Sequence, residues 1–205
     1  MIIAGAGGHA LELLDILISQ QKVKNIQFYD DINPQELFLG KYSIIRSPME
    51  LEIALKQSPD FMLGVGEVQS RKHFHSLFTS YGGKLRTVKA DTTFSSNFGL
   101  KNQSDIFNLC FIGAMTQLGL GSLVNTGSQI HHEVSIGEFT SINPGAILLG
   151  KSQVGSYCSI GAGAILLPKI RIGNNVVVGA GTVVTKDVPD NCTIVGVPGK
   201  IIKTA

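Results

Sequence analysis

The sequence places a histidine and a carboxylate side by side in the stretch Ile130-His131-His132-Glu133. An imidazole titrates near neutral pH, and a neighbouring carboxylate stabilises the imidazolium that forms when the ring takes up a proton. Such a pair could act as a general base that deprotonates an amine or a hydroxyl nucleophile. A solvated polar corner without a catalytic role is the alternative interpretation.

A second set of chemistry-bearing residues lies near the N-terminus, in the glycine-rich stretch Gly5–His9. Its glycines, together with Ala10, match the pattern G-x-G-x-x-G/A, and residues with helical spacing follow. The bare N–H groups of such a turn point at an anion. Asp30 and Asp31 close the next predicted strand, where a dinucleotide-binding turn has its acidic residue. A tight turn with no ligand is the alternative.

Alternating strands and helices must position this turn. Their order predicts a small Rossmann-like parallel sheet in residues 1–87, with ligands at the carboxyl ends of its strands. Gly7, Gly8, Asp30 and Gly64 would all lie at that edge. The predicted strands are residues 1–4, 26–29 and 61–66, and the predicted helices are residues 10–18, 49–56 and 68–81.

A different pattern positions the histidine pair. Every sixth residue from Val88 to Val184 is aliphatic, except Phe94, and neither the strand period nor the helix period produces this spacing. A six-residue unit cannot bury its own side chain, but stacked units line a continuous apolar interior. Residues 88–205 are therefore predicted to form a parallel β-helix of triangular coils, closed by a C-terminal extension.

The phase of the repeat assigns side chains to the inside or the outside. Because Ile130 is an inward position, His132 and Glu133 are expected outside, near a corner. Cys110 and Cys158 fall at small inward corners, which favours packing and disfavours a covalent acyl-enzyme. His73 and His75 are two positions apart on a predicted helix and do not share a face, so no metal site is expected there.

Composition excludes several classes of protein. A net charge of +2 with 16% charged residues leaves no basic block for nucleic acid. The apolar runs are too short for a membrane span, and the N-terminus lacks the features of a signal peptide. Three cysteines without metal-type spacing fit a reducing compartment. We therefore predict a cytoplasmic protein.

Taken together, these motifs resemble the PglD- and NeuD-like sugar acyltransferases, over nearly the full length of the chain. In those proteins an α/β domain that binds a nucleotide sugar precedes a left-handed β-helix. The motifs that carry the resemblance are Gly5–His9, Tyr29-Asp30-Asp31, Asn125-Thr126, His132-Glu133, Ile136-Gly137-Glu138-Phe139, Pro144-Gly145-Ala146 and Gly196-Val197-Pro198.

The resemblance implies a homotrimer that uses acetyl-CoA and no metal. It also implies that His132 is the catalytic base, that Glu133 holds or polarises its ring, and that the Gly150 N–H binds the thioester carbonyl. The nucleotide sugar would be held by Gly7, Gly8, His9, Asp30 and Asp31.

Three features depart from that family. Ser141 stands where a histidine that touches the acceptor sugar is common, His131 is an extra flanking residue, and Val88-Lys89-Ala90-Asp91 replaces a common His-Pro pair. The identity of the acceptor is therefore open.

The first hypothesis for function is an acetyl-CoA-dependent N-acetyltransferase that acts on a nucleotide-linked 4-amino-4,6-dideoxy sugar in glycan or O-antigen biosynthesis. O-acetylation of sialic acid is the close alternative, since both acceptors need the same base. A non-catalytic binding protein is a further alternative. A nicotinamide-dependent oxidoreductase fails because no second catalytic domain is present.

Overall fold

The computed structural model describes residues 1–22 and 24–204, with Lys101 and Asn102 described by their backbone alone. The chain divides into two compact units, Met1–Thr87 and Val88–Ala205. No described helix is long and apolar enough to cross a membrane.

The first unit is a six-stranded sheet with helices. The spatial order of its strands is β3-β4-β2-β1-β5-β6, and all pairs are parallel except β3 with β4, a short antiparallel hairpin that the prediction of a parallel sheet did not include. The elements are β1 (Ile2–Ala4), α1 (Gly8–Ser19), β2 (Gln27–Tyr29), β3 (Leu37–Phe38), β4 (Tyr42–Ile45), α2 (Pro48–Gln57), β5 (Asp60–Leu63), α3 (Val68–Ser80) and β6 (Lys84–Leu85).

The helices of this unit differ in whether a side chain caps the N-terminus. Ser47 and Glu50 form a capping box at α2, and the Glu67 carboxylate caps α3 by accepting from the N–H groups of Gln69 and Ser70. Helix α1 instead begins after Gly7, whose lack of a side chain leaves the first turn uncapped, and this turn contains no acidic residue. Its N-terminal dipole is therefore available to an anion.

The second unit is a parallel β-helix whose strands stack in three flat faces. Strands on one face are separated by one eighteen-residue coil, as in the pairing of Ile130 with Leu148. Face one contains β7 (Phe94–Ser95), β10 (Phe111–Ile112), β13 (Gln129–Ile130), β16 (Ile147–Leu148), β19 (Ile165–Leu166) and β22 (Val183–Val184). Face two contains β8 (Lys101–Asn102), β11 (Gln117–Leu118), β14 (Ser135–Ile136), β17 (Gln153–Val154) and β20 (Arg171–Ile172). Face three contains β9 (Asp105–Ile106), β12 (Leu123–Val124), β15 (Ser141–Ile142), β18 (Ser159–Ile160), β21 (Val177–Val178), β23 (Cys192–Val195) and the antiparallel β24 (Lys200–Thr204).

The predicted inward column is confirmed from Ile106 to Val184, where every sixth residue is buried in one continuous core. It is wrong at Phe94, which is 61% exposed. Phe94 pairs with the outward Phe111, and Ser95 pairs with the inward Ile112, so the first coil is shifted by one residue there. The first coil has no coil beneath it to enforce the register, which explains the slip.

Candidate active site

The residues His131–Glu133 form the corner between face one and face two, and we call the column of corners at this edge the His132 corner. The chain leaves β13 at Ile130 and turns outward, as the phase of the repeat predicted. The N–H of Glu133 donates to the Ala114 carbonyl in the coil below, and the His132 carbonyl accepts from the N–H of Lys151 in the coil above. The backbone of His132 is therefore fixed from both sides.

Side chains at this corner form a short polar chain. His132 Nδ1 lies 3.1 Å from Glu133 Oε1, and Lys151 Nζ lies 3.5 Å from Glu133 Oε2. The hydrogen bond from His132, followed by the charge of Lys151, lowers the pKa of the Glu133 carboxyl below its usual value. The ionised carboxylate fixes the proton on Nδ1 and leaves Nε2 as the basic nitrogen.

Gly150 lies one coil above His132 and directly against its ring. A Cβ on residue 150 would overlap the imidazole at Nε2 and Cε1. Among the described residues, none accepts a hydrogen bond from the Gly150 N–H. The basic nitrogen and an open backbone donor therefore lie side by side.

The corner between face two and face three shows the contrasting arrangement. There the N–H of Glu138 donates to Ser156 Oγ, one coil above. In the same way the N–H of Ser156 donates to Asn174 Oδ1. The N–H of Asn174 donates to Asp190 Oδ1. Each of these side chains thus accepts a hydrogen bond from a backbone N–H in the coil below. That corner has no N–H to offer at these positions, whereas the His132 corner keeps the N–H of Gly150 open.

Two residues of the His132 corner have a left-handed backbone. Glu133 (φ 60°) and Lys151 (φ 64°) adopt the left-handed conformation that favours glycine. The equivalent positions of the corner between face three and face one are glycines, for example Gly127 and Gly145. The corner between face two and face three also has non-glycine residues in this conformation, Phe139 (φ 50°) and Tyr157 (φ 61°), so the backbone alone does not mark the His132 corner as functional.

In the first unit, the glycine turn lines a cavity of about 350 Å³. Gly7, Gly8 and His9 lie on one side of it and Asp31 on another, while the second glycine turn, residues 64–66, forms a third wall. These residues come from the carboxyl ends of β1, β2 and β5, the predicted edge of the sheet.

The two aspartates at this edge have different surroundings. Asp30 accepts hydrogen bonds from the N–H groups of Ala6, Ile32 and Asn33, at 2.9–3.0 Å. Its carboxylate therefore ties the glycine turn to the loop after β2. Asp31 is exposed and lines the cavity.

His9 is largely buried in the wall of this cavity and lies 3.8 Å from Glu12. Burial, followed by the charge of Arg71, lowers the pKa of His9 to about 4. The ring is thus neutral near pH 7 and is not a cation in the wall of the cavity.

The other residues singled out from the sequence lie elsewhere. His131 packs its ring 5.4 Å from that of Phe111, Ser141 is buried on β15, and burial raises the pKa of Cys110 and of Cys158 to about 11. No group of three or more His, Cys, Asp or Glu residues within the described ranges could hold a metal ion.

Two residues of these sites were not found by sequence reasoning. Lys151 follows Glu133 by one coil of eighteen residues, a spacing that could have indicated the contact. Arg71 carries no such signal, because an arginine on a helix is usually exposed.

Comparison with known proteins gives matches in both units. Residues 1–78 match the family model described as the PglD N-terminal domain, and residues 151–186 match that of the bacterial transferase hexapeptide (six repeats). No curated protein sequence matches the chain.

Solved structures of similar fold cover nearly the whole chain. The acetyltransferase domain of PglB from Neisseria gonorrhoeae FA1090, in complex with acetyl coenzyme A, is 26% identical with a TM-score of 0.89, covering 98% of each chain. A variant of GDP-perosamine N-acetyl transferase from Caulobacter crescentus, in complex with CoA and GDP-perosamine, is 25% identical with a TM-score of 0.91, covering 98% of this chain and 96% of that one. WeeI from Acinetobacter baumannii AYE, at 22% identity and a TM-score of 0.82, shares the fold.

These matches confirm the resemblance to sugar acyltransferases drawn from the sequence, the predicted fold with its left-handed β-helix, and the enzyme class, an acyltransferase.

Proposed function

We propose that this protein transfers the acetyl group of acetyl-CoA to the amino group of a nucleotide-linked amino sugar. The observation that carries the proposal is the contact between His132 Nε2 and Gly150, which puts a base beside an open backbone donor. An acyl transfer needs both groups at one carbonyl. Similar proteins bound to acetyl coenzyme A, and to CoA with GDP-perosamine, support the choice of donor and acceptor class.

The reaction would proceed by direct transfer. The sugar amine attacks the thioester carbonyl carbon while His132 Nε2 takes the proton that the nitrogen loses. The bond from carbon to sulfur then breaks, the amide is released, and the proton on His132 passes to the CoA thiolate. Glu133 stabilises the imidazolium between these steps through its 3.1 Å contact with Nδ1.

Gly150 would act on the oxygen of the same carbonyl. Negative charge develops on this oxygen during attack, and a fixed N–H stabilises that charge more than it stabilises the neutral thioester. No protein nucleophile is needed, in keeping with the burial of Cys110 and Cys158.

The nucleotide part of the acceptor fits the first unit. The uncapped N-terminus of α1 offers the N–H groups of Gly7 and Gly8 to phosphate oxygens, whereas α3 is already capped by Glu67. Asp31 presents a carboxylate to ribose hydroxyls or to base N–H groups, His9 serves as a neutral hydrogen-bonding wall, and Asp30 holds the turn in place.

A homotrimer packed through face one is part of this proposal. The outward side chains of face one are apolar except Gln129, and include Phe94, Phe111, Ile147 and Ile165, whereas those of face two include Gln117, Ser135, Gln153 and Arg171. An apolar face of this length favours contact with further copies of the chain. Sedimentation equilibrium of the full chain tests the assembly, and a monomer at micromolar concentration would contradict it.

The first experiment is release of free thiol from acetyl-CoA in the presence of UDP-, dTDP- and GDP-linked 4-amino-4,6-dideoxy sugars, with free and CMP-linked sialic acid as further acceptors. Turnover on one amino sugar supports the proposal, and we propose that the enzyme acts in glycan assembly in the cytoplasm. Turnover on sialic acid alone would replace it by O-acetylation. Binding of both ligands without thiol release would mark a non-catalytic protein.

A further inference from the structure

Arg71 is fully buried on α3, next to the cavity of the glycine turn. Its guanidinium donates to the carbonyl of Leu63 at 3.3 Å and to that of Val65 at 2.8 Å. Both carbonyls belong to the chain that leaves β5 and forms the second glycine turn. One buried cation thus sets the orientation of two peptide groups in a wall of the cavity.

The orientation of these peptides has consequences for a ligand. In a trans peptide the N–H points opposite to the carbonyl, so the Gly66 N–H is turned away from Arg71. Gly66 itself lies against the ring of His9, and a Cβ on residue 66 would come within 3.5 Å of Nδ1. Fixing this turn therefore fixes the packing of His9 as well.

We propose that Arg71 is a positioning residue that adapts this cavity to a nucleoside diphosphate. The guanidinium withdraws the carbonyls of residues 63 and 65 from the ligand, and its buried charge favours the more negative diphosphate over a monophosphate. This inference rests on the nucleotide-sugar acceptor proposed above, and it names the part of that acceptor that the cavity selects.

The charges around the cavity make Arg71 the relevant cation. His9 is neutral near pH 7. Glu12 on α1 lies beside His9, and the acids that line the cavity are Asp30 and Asp31 after β2 and Glu67 at the start of α3. The negative charge of these side chains opposes an anion. Glu67 is committed to the N–H groups at the start of α3. The buried guanidinium and the N-terminus of α1 are thus the positive features next to the ligand.

Calorimetry on the full chain tests the assignment with UDP and UMP, GDP and GMP, and dTDP and dTMP. For the preferred base, we expect the wild type to bind the diphosphate at least about tenfold more tightly than the monophosphate. R71M should lower that ratio severalfold, and the preference that remains comes from the N-terminus of α1. R71K keeps the charge but loses the forked donor, so both affinities should fall while the ratio is retained.

The control is K72M, which removes an exposed cation from the next position of the same helix. It should leave both affinities unchanged, and a wild-type helical circular-dichroism signal, which comes from α1, α2 and α3, would show that the first unit of each variant is folded. A wild-type ratio in R71M, or its loss in R71K, would overturn the assignment. Neither result affects thiol release by the wild type, which tests acetyl transfer separately. A wild type that binds no diphosphate would overturn this inference and the nucleotide part of the proposed function together.

Discussion

The imidazole of His132 lies against Gly150 of the next coil, so closely that a Cβ on residue 150 would overlap Nε2. The two residues are eighteen positions apart, one full coil of the β-helix. The β-helix thus stacks a base on a backbone donor without any loop to position them. Because the stacking is part of the core hydrogen-bonding pattern, the pair is preorganised before either ligand binds.

We expect G150A to abolish most of the activity without unfolding the protein. The added methyl group must displace the imidazole, and a misplacement of about 1 Å costs roughly hundredfold in rate. The backbone itself accepts alanine, since Ala114 occupies the equivalent position two coils below and Ala162 that of another corner. Turnover in the thiol assay and the melting temperature are the measurements, with A162G as the matched control.

A double variant identifies the cause of this loss. If G150A acts by displacing the ring, it should add little to the loss already present in H132A. Full additivity of the two losses would instead mean that the methyl group blocks the thioester directly.

H132A should lower turnover by about 10²- to 10⁴-fold, the usual contribution of a general base. Binding of nucleotides by calorimetry should not change, because the glycine turn belongs to the other unit. H131Q is the matched control, since it removes the neighbouring ring that packs on Phe111 instead of facing Gly150. Equal losses in H131Q and H132A would contradict the assignment of the base.

Periodicity made the β-helix predictable because each inward side chain repeats one environment at a fixed spacing. It also predicted that His132 and Glu133 lie outside, near a corner, since phase alone decides this. It failed at Phe94, where the first coil has no neighbour below it to hold the register. The correct inward residue there, Ser95, is not apolar and gives no signal.

The contacts of the sites were less accessible to sequence reasoning. Asp30 and Asp31 are chemically identical, and only the fold shows that Asp30 is occupied by three backbone N–H groups. Burial of Arg71 depends on how α3 packs, which helical spacing does not determine. The family resemblance identified Gly150 as a candidate residue. Its contact with His132 became visible only in the structure, where the two residues lie in stacked coils.

K151M should lower turnover by only about two- to fivefold, since the ion pair of Lys151 with Glu133 is half exposed and such pairs are weak. The loss follows from the freedom that the Glu133 carboxylate gains when one of its two partners is removed. Because Glu133 transmits the effect, K151M should add nothing in an E133Q background. Steady-state thiol release by the four proteins of this cycle is the measurement, and a loss in the double variant equal to the sum of the two single losses would contradict the relay through Glu133.

We expect the variants D30N and D31N to differ, one in stability and the other in nucleotide binding. D30N weakens the anchoring of the glycine turn, so we expect a loss of about 1–2 kcal/mol in the free energy of unfolding of the first unit. D31N should leave stability unchanged and weaken nucleotide binding instead. Chemical denaturation and calorimetry on both variants give the comparison, and a stability loss in D31N alone would reverse the two roles.

His9 should make the first unit sensitive to acid. Its pKa is about 4 in the folded protein against a usual value of 6.5, so the unfolded chain takes up a proton first as the pH falls. The contribution of the neutral His9 ring to the free energy of unfolding is complete above pH 6.5 and is lost progressively toward pH 4. For a shift of this size, the free energy of unfolding should fall by about 2 kcal/mol between pH 7.5 and pH 5.

H9Q cannot take up this proton, so its stability should change less over the same range. H73Q removes an exposed histidine from the same unit and controls for the loss of a ring. Urea denaturation at the two pH values, followed through the tyrosines of this unit, measures the difference. Parallel pH dependences in H9Q and the wild type would mean that folding does not lower the pKa of His9, and the cavity would then contain a cation below about pH 6.5.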